Sequence, residues 1–285
     1  MAHILKAQPV DEAIHAETFK RKKILDDMGV VPTLAIVRVG VNPDDLAYER
    51  GARARCEAVG VRVEVIELPT DVTQMQLGLR IGEINTNKDI HGCLLLRPLP
   101  PSFDEESLSN MLTPEKDVDG MTYLSLGAIF TGKGFGFPPC TAQAVVEVLK
   151  HYEINLDGAH AVVLGRSLVV GRPVASLLQQ QNATVTMCHS HTKNVEILSQ
   201  QADILIAAMG KARIVGPEYT HEDQVVIDVG INFTPEGSLV GDVDFQAVES
   251  QVSAISPVPG GVGGITTAVL AKHVVEAAIA QNSIS

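Results

Sequence analysis

Gly165-Arg166-Ser167-Leu168-Val169-Val170-Gly171 follows directly on the apolar run HAVVLG (160–165), and the chain then continues as the amphipathic stretch VGRPVASLLQQQ. A β-branched run, a glycine turn and an amphipathic stretch together read as a βα unit. In such a unit Gly165 can make the tight turn and Gly171 can let the helix lie close to the sheet. The free N–H groups that open the helix can then receive a pyrophosphate. The spacing G-x-S-x-x-x-G differs from the usual G-x-G-x-x-G, so an ordinary tight βα turn is the rival reading. The next apolar run, ATVTMCHSHTKN, ends without the acidic residue that normally holds a ribose 2′-hydroxyl. It offers His189, Ser190, His191 and Thr192 instead, with Arg166 available from the first turn. Cations and hydroxyls suit a 2′-phosphate, so NADP is the expected cofactor, with NAD as the alternative.

Other residues can also do chemistry. Pro257-Val258-Pro259-Gly260-Gly261-Val262-Gly263 is too rich in glycine for a helix and allows a ligand to come close to the backbone. Asp228 and Asn232 fall at the end of an apolar run, where open α/β sheets bind ligands. Cys140 follows a proline pair with no base placed beside it by any motif, so it reads as a small buried hydrophobe. The nine histidines show no metal-ligand spacing, and no metal is expected.

These residues need a scaffold. TLAIVRVG (33–40) and VRVEVIELP (61–69) read as strands, with helices from Tyr48 to Val59 and from Gln74 to Asn85. HGCLLLRPLPP (91–101) reads as a buried strand stopped by prolines. After a turn-rich stretch from Pro114 to Pro139 a second series begins at HAVVLG and runs through ATVTMCH, a helix at NVEILSQQ, ADILIAAMG and VVIDVGI (225–231). Strands alternating with helices predict an α/β fold. The expected division is a first α/β domain over residues 1–138 and a Rossmann-type domain over 139–265, with a helix over 266–285 packing back on the first.

The chain has 285 residues and a net charge of −12, which opposes nucleic acid or an anionic membrane as partner. Trp is absent and aromatics are scarce, so stacking platforms for single strands are not expected. Cys56, Cys93, Cys140 and Cys188 form no CxxC pair, as suits reduced thiols. The opening MAHILKAQPVDEA lacks a secretory pattern, and no apolar stretch approaches the length of a membrane span. A soluble, cytoplasmic protein is expected.

The stretches VRVGVNPDDLAYERGARARCEAVG, PEKDVDG, PPCT, GRSLVVGRP, ATVTMCHSHTKN, ADILIAAMGK, VVIDVGIN, GDVDF and PVPGGVGGITTAVL together resemble the methylenetetrahydrofolate dehydrogenase/cyclohydrolase family, in its order and over residues 33–275. The resemblance implies an N-terminal substrate domain and a Rossmann-type domain, with folate and cofactor meeting in the cleft between them, and a homodimer. It implies two reactions: oxidation of 5,10-methylenetetrahydrofolate to the methenyl cation, then hydrolysis to 10-formyltetrahydrofolate. Tyr48, otherwise a half-buried core aromatic, becomes a stacking partner for the folate ring. Asp119, otherwise a turn aspartate, becomes the acceptor for the pterin's amino and ring N–H groups, and Asp117 holds the loop. Pro259, Gly260 and Gly261 become substrate contacts. Gly230, Ile231, Gly263 and Thr266 become cofactor contacts beside Gly165, Arg166, Ser167, Gly171, His189, Ser190 and Thr192.

The chain departs from the family in two linked places. The family carries a Lys four residues after the Tyr, on the same helix face; here that residue is Ala52. The family's strand ends in Gln-Leu-Pro-Leu-Pro, whose Gln contacts that Lys; here it reads Leu96-Arg97-Pro98-Leu99-Pro100. The usual Pro-Met-Thr after the glycine loop is Gly264-Ile265-Thr266, a milder change. Oxidising the methylene carbon calls for positioning rather than a protein base. Adding water to the cation calls for a base or an oriented water. Arg50, Arg53 and Arg55 lie near, but an arginine stays protonated and makes a poor base. The expectation is a dehydrogenase with weak or absent cyclohydrolase activity. A fully bifunctional enzyme and a non-catalytic folate- or dinucleotide-binding homologue are the alternatives.

Overall fold

The computed structural model describes residues 2–134 and 136–282. In chain order the elements begin with β1 (His3–Ile4), α1 (Ala7–Asp27), β2 (Thr33–Val39), α2 (Pro43–Ala58), β3 (Arg62–Leu68), α3 (Gln74–Thr86) and β4 (Gly92–Leu95). Then come α4 (Glu105–Ser109), α5 (Tyr123–Thr131), α6 (Cys140–His151), β5 (His160–Leu164), α7 (Gly171–Gln180), β6 (Thr184–Cys188) and α8 (Val195–Ser199). The series closes with β7 (Ile204–Ala207), β8 (Val225–Asp228), β9 (Asn232–Phe233), β10 (Leu239–Val240), α9 (Phe245–Val248), β11 (Ala254–Ile255) and α10 (Thr266–Asn282). The fold is α/β and divides into two compact units: Ala13–Cys140 with the chain from Thr267 onward, and the chain up to Glu12 with Thr141–Thr266. No described helix is long and apolar enough to cross a membrane.

In the first unit, β2 lies between β3 and β4 in a parallel sheet. All of β2 is buried, which is why it reads as a continuous apolar run rather than an alternating one. Its one charge, Arg38, is 4% exposed and meets Glu49 of α2 at 2.9 Å and Glu67 of β3 at 3.0 Å. That pair ties α2 to the sheet. The helix starts before the predicted Tyr48 because Asn42 caps it, accepting the Asp44 N–H at 3.0 Å, and Pro43 opens its first turn. Glu49, Ala52 and Cys56 form its buried face. The strand predicted over 91–101 stops at Leu95, because the prolines beyond it have no N–H to donate. Lys116 ends α3, its ammonium donating to the Ile84 and Asn87 carbonyls at 2.5 Å each.

In the second unit, six parallel strands run in the order β1-β11-β8-β7-β5-β6. β5 has β6 on one side and β7 on the other, so the C-terminal end of β5 is a topological switch point, where such sheets bind ligands. The first twelve residues, which the sequence pattern assigns to the first domain, belong here instead. The reason is β1, which pairs with β11 through His3↔Ala254 and Ile4↔Ile255. Two paired residues leave no periodicity to read.

Candidate functional site

The second unit carries a tight glycine turn, Gly165–Gly171, beyond the end of β5. Gly165 turns the chain with φ 130°, and a Cβ there would lie 2.2 Å from the Ala208 carbonyl oxygen. A Cβ on Gly171 would lie 2.3 Å from the Gly165 oxygen. Only glycine fits both places, which lets the turn fold tightly onto the start of α7. Ser167 Oγ accepts the N–H groups of Val170 and Gly171 at 3.1 and 3.4 Å, which closes the turn that leads into α7. Gly165, Arg166, Ser167, His189, Ser190 and Thr192 line one cavity of about 520 Å³. Thr192 Oγ1 accepts the His189 N–H at 2.9 Å and closes the turn after β6. Lys211, just past β7, lines the cavity too. The sequence reading missed it, although a cation at a strand end beside the switch point was a usable signal. Two cations and several hydroxyls face one carboxylate, Glu196, a donor set that fits phosphate oxygens.

The remaining cofactor candidates of this unit do not line that cavity. Ile231 is exposed, and a Cβ on Gly263 would lie 3.3 Å from its Cδ1, so these two are neighbours. Thr266 and Gly261 are buried, while Pro259 and Gly260 are exposed, and the Gly260 carbonyl accepts the Ala7 N–H at 2.8 Å. Asp228 and Asn232, expected to face a ligand, are instead committed to the fold. Buried Asp228 accepts the N–H groups of Gly230 at 3.0 Å and of Asp242 and Val243 at 2.9 Å. Asp242 in turn accepts from Lys211 N at 2.8 Å and Asn232 Nδ2 at 2.9 Å. Burial pushes the Asp228 carboxyl up to about 6, its N–H donors acting against that rise and Asp242 adding to it. These two carboxylates fix the loops that follow β7 and β8.

The first unit brings Tyr48 and Asp119 together. Burial, then the nearby Asp119, Cys140 and Cys56, push the Tyr48 hydroxyl well above its ordinary value. The Asp119 side chain is 21% exposed, and burial pushes it up to about 6. Arg97 acts in the opposite direction, Asp117 adds to the rise, and the thiol and backbone N–H of Cys140 donate to the carboxylate. Asp117 holds the loop, its oxygens accepting from Met121 N, Thr122 N and Ser125 Oγ at 3.0, 2.8 and 2.6 Å. Cys140 is buried, as expected, and although His273 Nδ1 of α10 lies 3.7 Å from its sulfur, that nitrogen donates to the Val118 carbonyl at 2.8 Å and so is no base toward the thiol. Burial and Asp119 keep the thiol protonated far above its usual range, so it is a hydrogen-bond donor rather than a nucleophile. Ala52 is 0% and Leu96 is 5% exposed. The arrangement offers an acceptor and an aromatic face to a flat heterocycle with N–H donors.

Comparison with known proteins matches both halves of the chain. Residues 5–119 match the tetrahydrofolate dehydrogenase/cyclohydrolase catalytic domain, and residues 139–282 match that family's NAD(P)-binding domain. The chain is 52% identical to the bifunctional protein FolD of Carboxydothermus hydrogenoformans, over 97% of each chain. Among solved structures it is similar to the bifunctional FolD of Campylobacter jejuni, at 36% identity and a TM-score of 0.94, covering 98% of this chain and 99% of that one. It is also similar to the Trypanosoma brucei methylenetetrahydrofolate dehydrogenase-cyclohydrolase complexed with NADP and an inhibitor, at 32% identity and a TM-score of 0.92, covering 100% of this chain and 99% of that one. Matched in both halves and over nearly its whole length, the chain belongs to the tetrahydrofolate dehydrogenase/cyclohydrolase family.

Proposed function

We propose that this chain oxidises 5,10-methylenetetrahydrofolate to the methenyl cation with NADP as acceptor, and hydrolyses that cation weakly or not at all. The observation that carries this reading is the half-buried Asp119 beside Tyr48, with two apolar residues, Ala52 and Leu96, where the family has its Lys and Gln. Asp119 accepts the pterin's amino and ring N–H groups, and Tyr48 lies against the ring. Arg166, Lys211 and Ser190 hold the phosphates of the dinucleotide, and NADP, when bound, supplies the two-electron acceptor. Positioning is enough for the oxidation. Ala52 and Leu96 can neither take a proton nor orient a water, so the hydrolysis lacks its helper. The NADP bound in the Trypanosoma brucei relative supports the choice of NADP. A homodimer in the cytoplasm is the accompanying expectation, on the family pattern.

A second reading is favoured by the names of the relatives, which are called bifunctional. On that reading another group or a bound water replaces the missing pair. One paired assay on the pure protein separates the two: oxidation of methylenetetrahydrofolate with NADP and with NAD, then decay of added methenyltetrahydrofolate. Oxidation with decay at the buffer rate supports the proposal. Decay well above that rate overturns its second half, and no oxidation with either cofactor overturns its first.

A further inference from the structure

Arg97 occupies the second position of the family's Gln-Leu-Pro-Leu-Pro pattern, where a leucine is usual. Its guanidinium stands between two carboxylates. Nη2 is 4.0 Å from Asp119 Oδ2, and Nη1 is 3.9 Å from Glu105 Oε1. Both separations exceed a hydrogen bond, so the cation acts on Asp119 through its field and not by donating to it. That difference matters for a binding site. A guanidinium seated on the carboxylate would use up the lone pairs a ligand needs. Held back at 4.0 Å, it favours the ionised form and leaves the oxygens open.

Glu105 flanks the guanidinium on its other side. Its other oxygen, Oε2, accepts the Leu99 N–H at 2.6 Å, so the carboxylate is fixed to the same loop that carries Arg97. The groups around Asp119 leave Arg97 as the cation that acts on it. From its own loop comes Asp117, from α2 the Tyr48 hydroxyl and from α6 the Cys140 thiol and N–H, with His273 of α10 beyond the thiol. The same chain that lacks the family's lysine therefore has a cation at a new place.

We propose that Arg97, flanked by Glu105, is a positioning residue that keeps Asp119 charged without taking up the lone pairs that the pterin needs. The inference rests on Asp119 being that acceptor, as proposed above. Without Arg97, burial and Asp117 stand against ionisation with only the donors of Cys140 to offset them.

The test compares wild type, R97L, R97K and E105Q between pH 5.5 and 9. It uses KM for methylenetetrahydrofolate with NADP, and equilibrium binding of 5-formyltetrahydrofolate as a readout that needs no turnover. R97L should move the acidic limb of the KM profile to higher pH, raising KM about fivefold at pH 6 for a displacement of about one unit. Its kcat should fall far less than its KM rises, and R97K should restore most of the profile. E105Q should do the reverse: it frees Arg97 to settle on Asp119, so KM rises even at pH 8 while the acidic limb moves to lower pH. Profiles for R97L and E105Q that superimpose on wild type overturn the proposal. So does a uniform loss of kcat and KM at every pH that R97K fails to restore. If R97L does not fold, the opposite displacement in E105Q decides the matter. Wild type that binds the folate but does not oxidise it would count against the proposed activity, and the binding profiles would still test Arg97.

Discussion

Asp119 accepts N–H donors best when it is ionised, and its surroundings make ionisation costly. Its carboxyl is pushed from an ordinary value of 3.8 up to about 6. The protonated form therefore gains ground as pH falls through about 6, and a protonated carboxyl is a poorer acceptor. KM for the folate is expected to rise below that pH while kcat changes less, and a flat KM from pH 5.5 to 8 would rule the role out. The second expectation at this scale concerns Ala52 and Leu96. The double variant A52K/L96Q should accelerate decay of methenyltetrahydrofolate at least about a hundredfold, the lower end of what a placed acid or base contributes, and A52K alone should give less. No gain from the pair would mean that these positions do not decide the second reaction. The tight turn at Gly165 and Gly171 was legible in the sequence from its strand–turn–helix pattern, whereas Tyr48 and Asp119 were singled out only by the family resemblance. His273 was not legible, since it meets Cys140 across 133 residues. Arg97 was visible as a departure, but its relation to Glu105 and Asp119 depends on where the loop lies. Asp228 and Asn232 misled because a strand-end carboxylate can serve a ligand or the next loop, and only the positions of the N–H groups tell which.

Among the elements, α2 decides most, because it carries Tyr48 and Ala52. Its rotation over the sheet is set by the buried pair Glu49–Arg38 at 2.9 Å. E49A leaves the Arg38 charge buried with half its compensation and is expected to cost about 3–5 kcal/mol. E67A removes the exposed partner of the same arginine and should cost about 0–1 kcal/mol. Chemical denaturation of the two variants checks this, and equal losses would show that Glu49 holds no special place. The folate KM of E49A should rise as well, because Tyr48 moves with its helix. The core of α2 and the run of β2 could be read from sequence, whereas the cap at Asn42 and the end of β4 at Leu95 depend on backbone hydrogen bonds that an apolar pattern does not reveal.

At the scale of the molecule, the units do not follow a single cut in the chain. Leu5 is fully buried and its N–H donates to the Ile255 carbonyl at 2.9 Å, so the opening residues help complete the second unit. Removing residues 1–6 should expose the edge of β11, lower the melting temperature and weaken NADP binding. Unchanged hydrogen exchange at Ala254 and Ile255 after that deletion would contradict it. The boundary was hard to read because β1 is too short to announce itself, and its partner lies near the other end of the sequence.

The pairing of His3 with Ala254 also sets a schedule for the growing polypeptide. β1 waits while about 250 residues are made before its neighbour exists. At ordinary elongation rates that delay is roughly 12–50 s. Through that interval Leu5 and its neighbours stay unburied, available to chaperones, while the central strands β5 to β8 can already assemble. The edge of the nucleotide-binding sheet is thus sealed late, by residues translated about 250 positions before their partner.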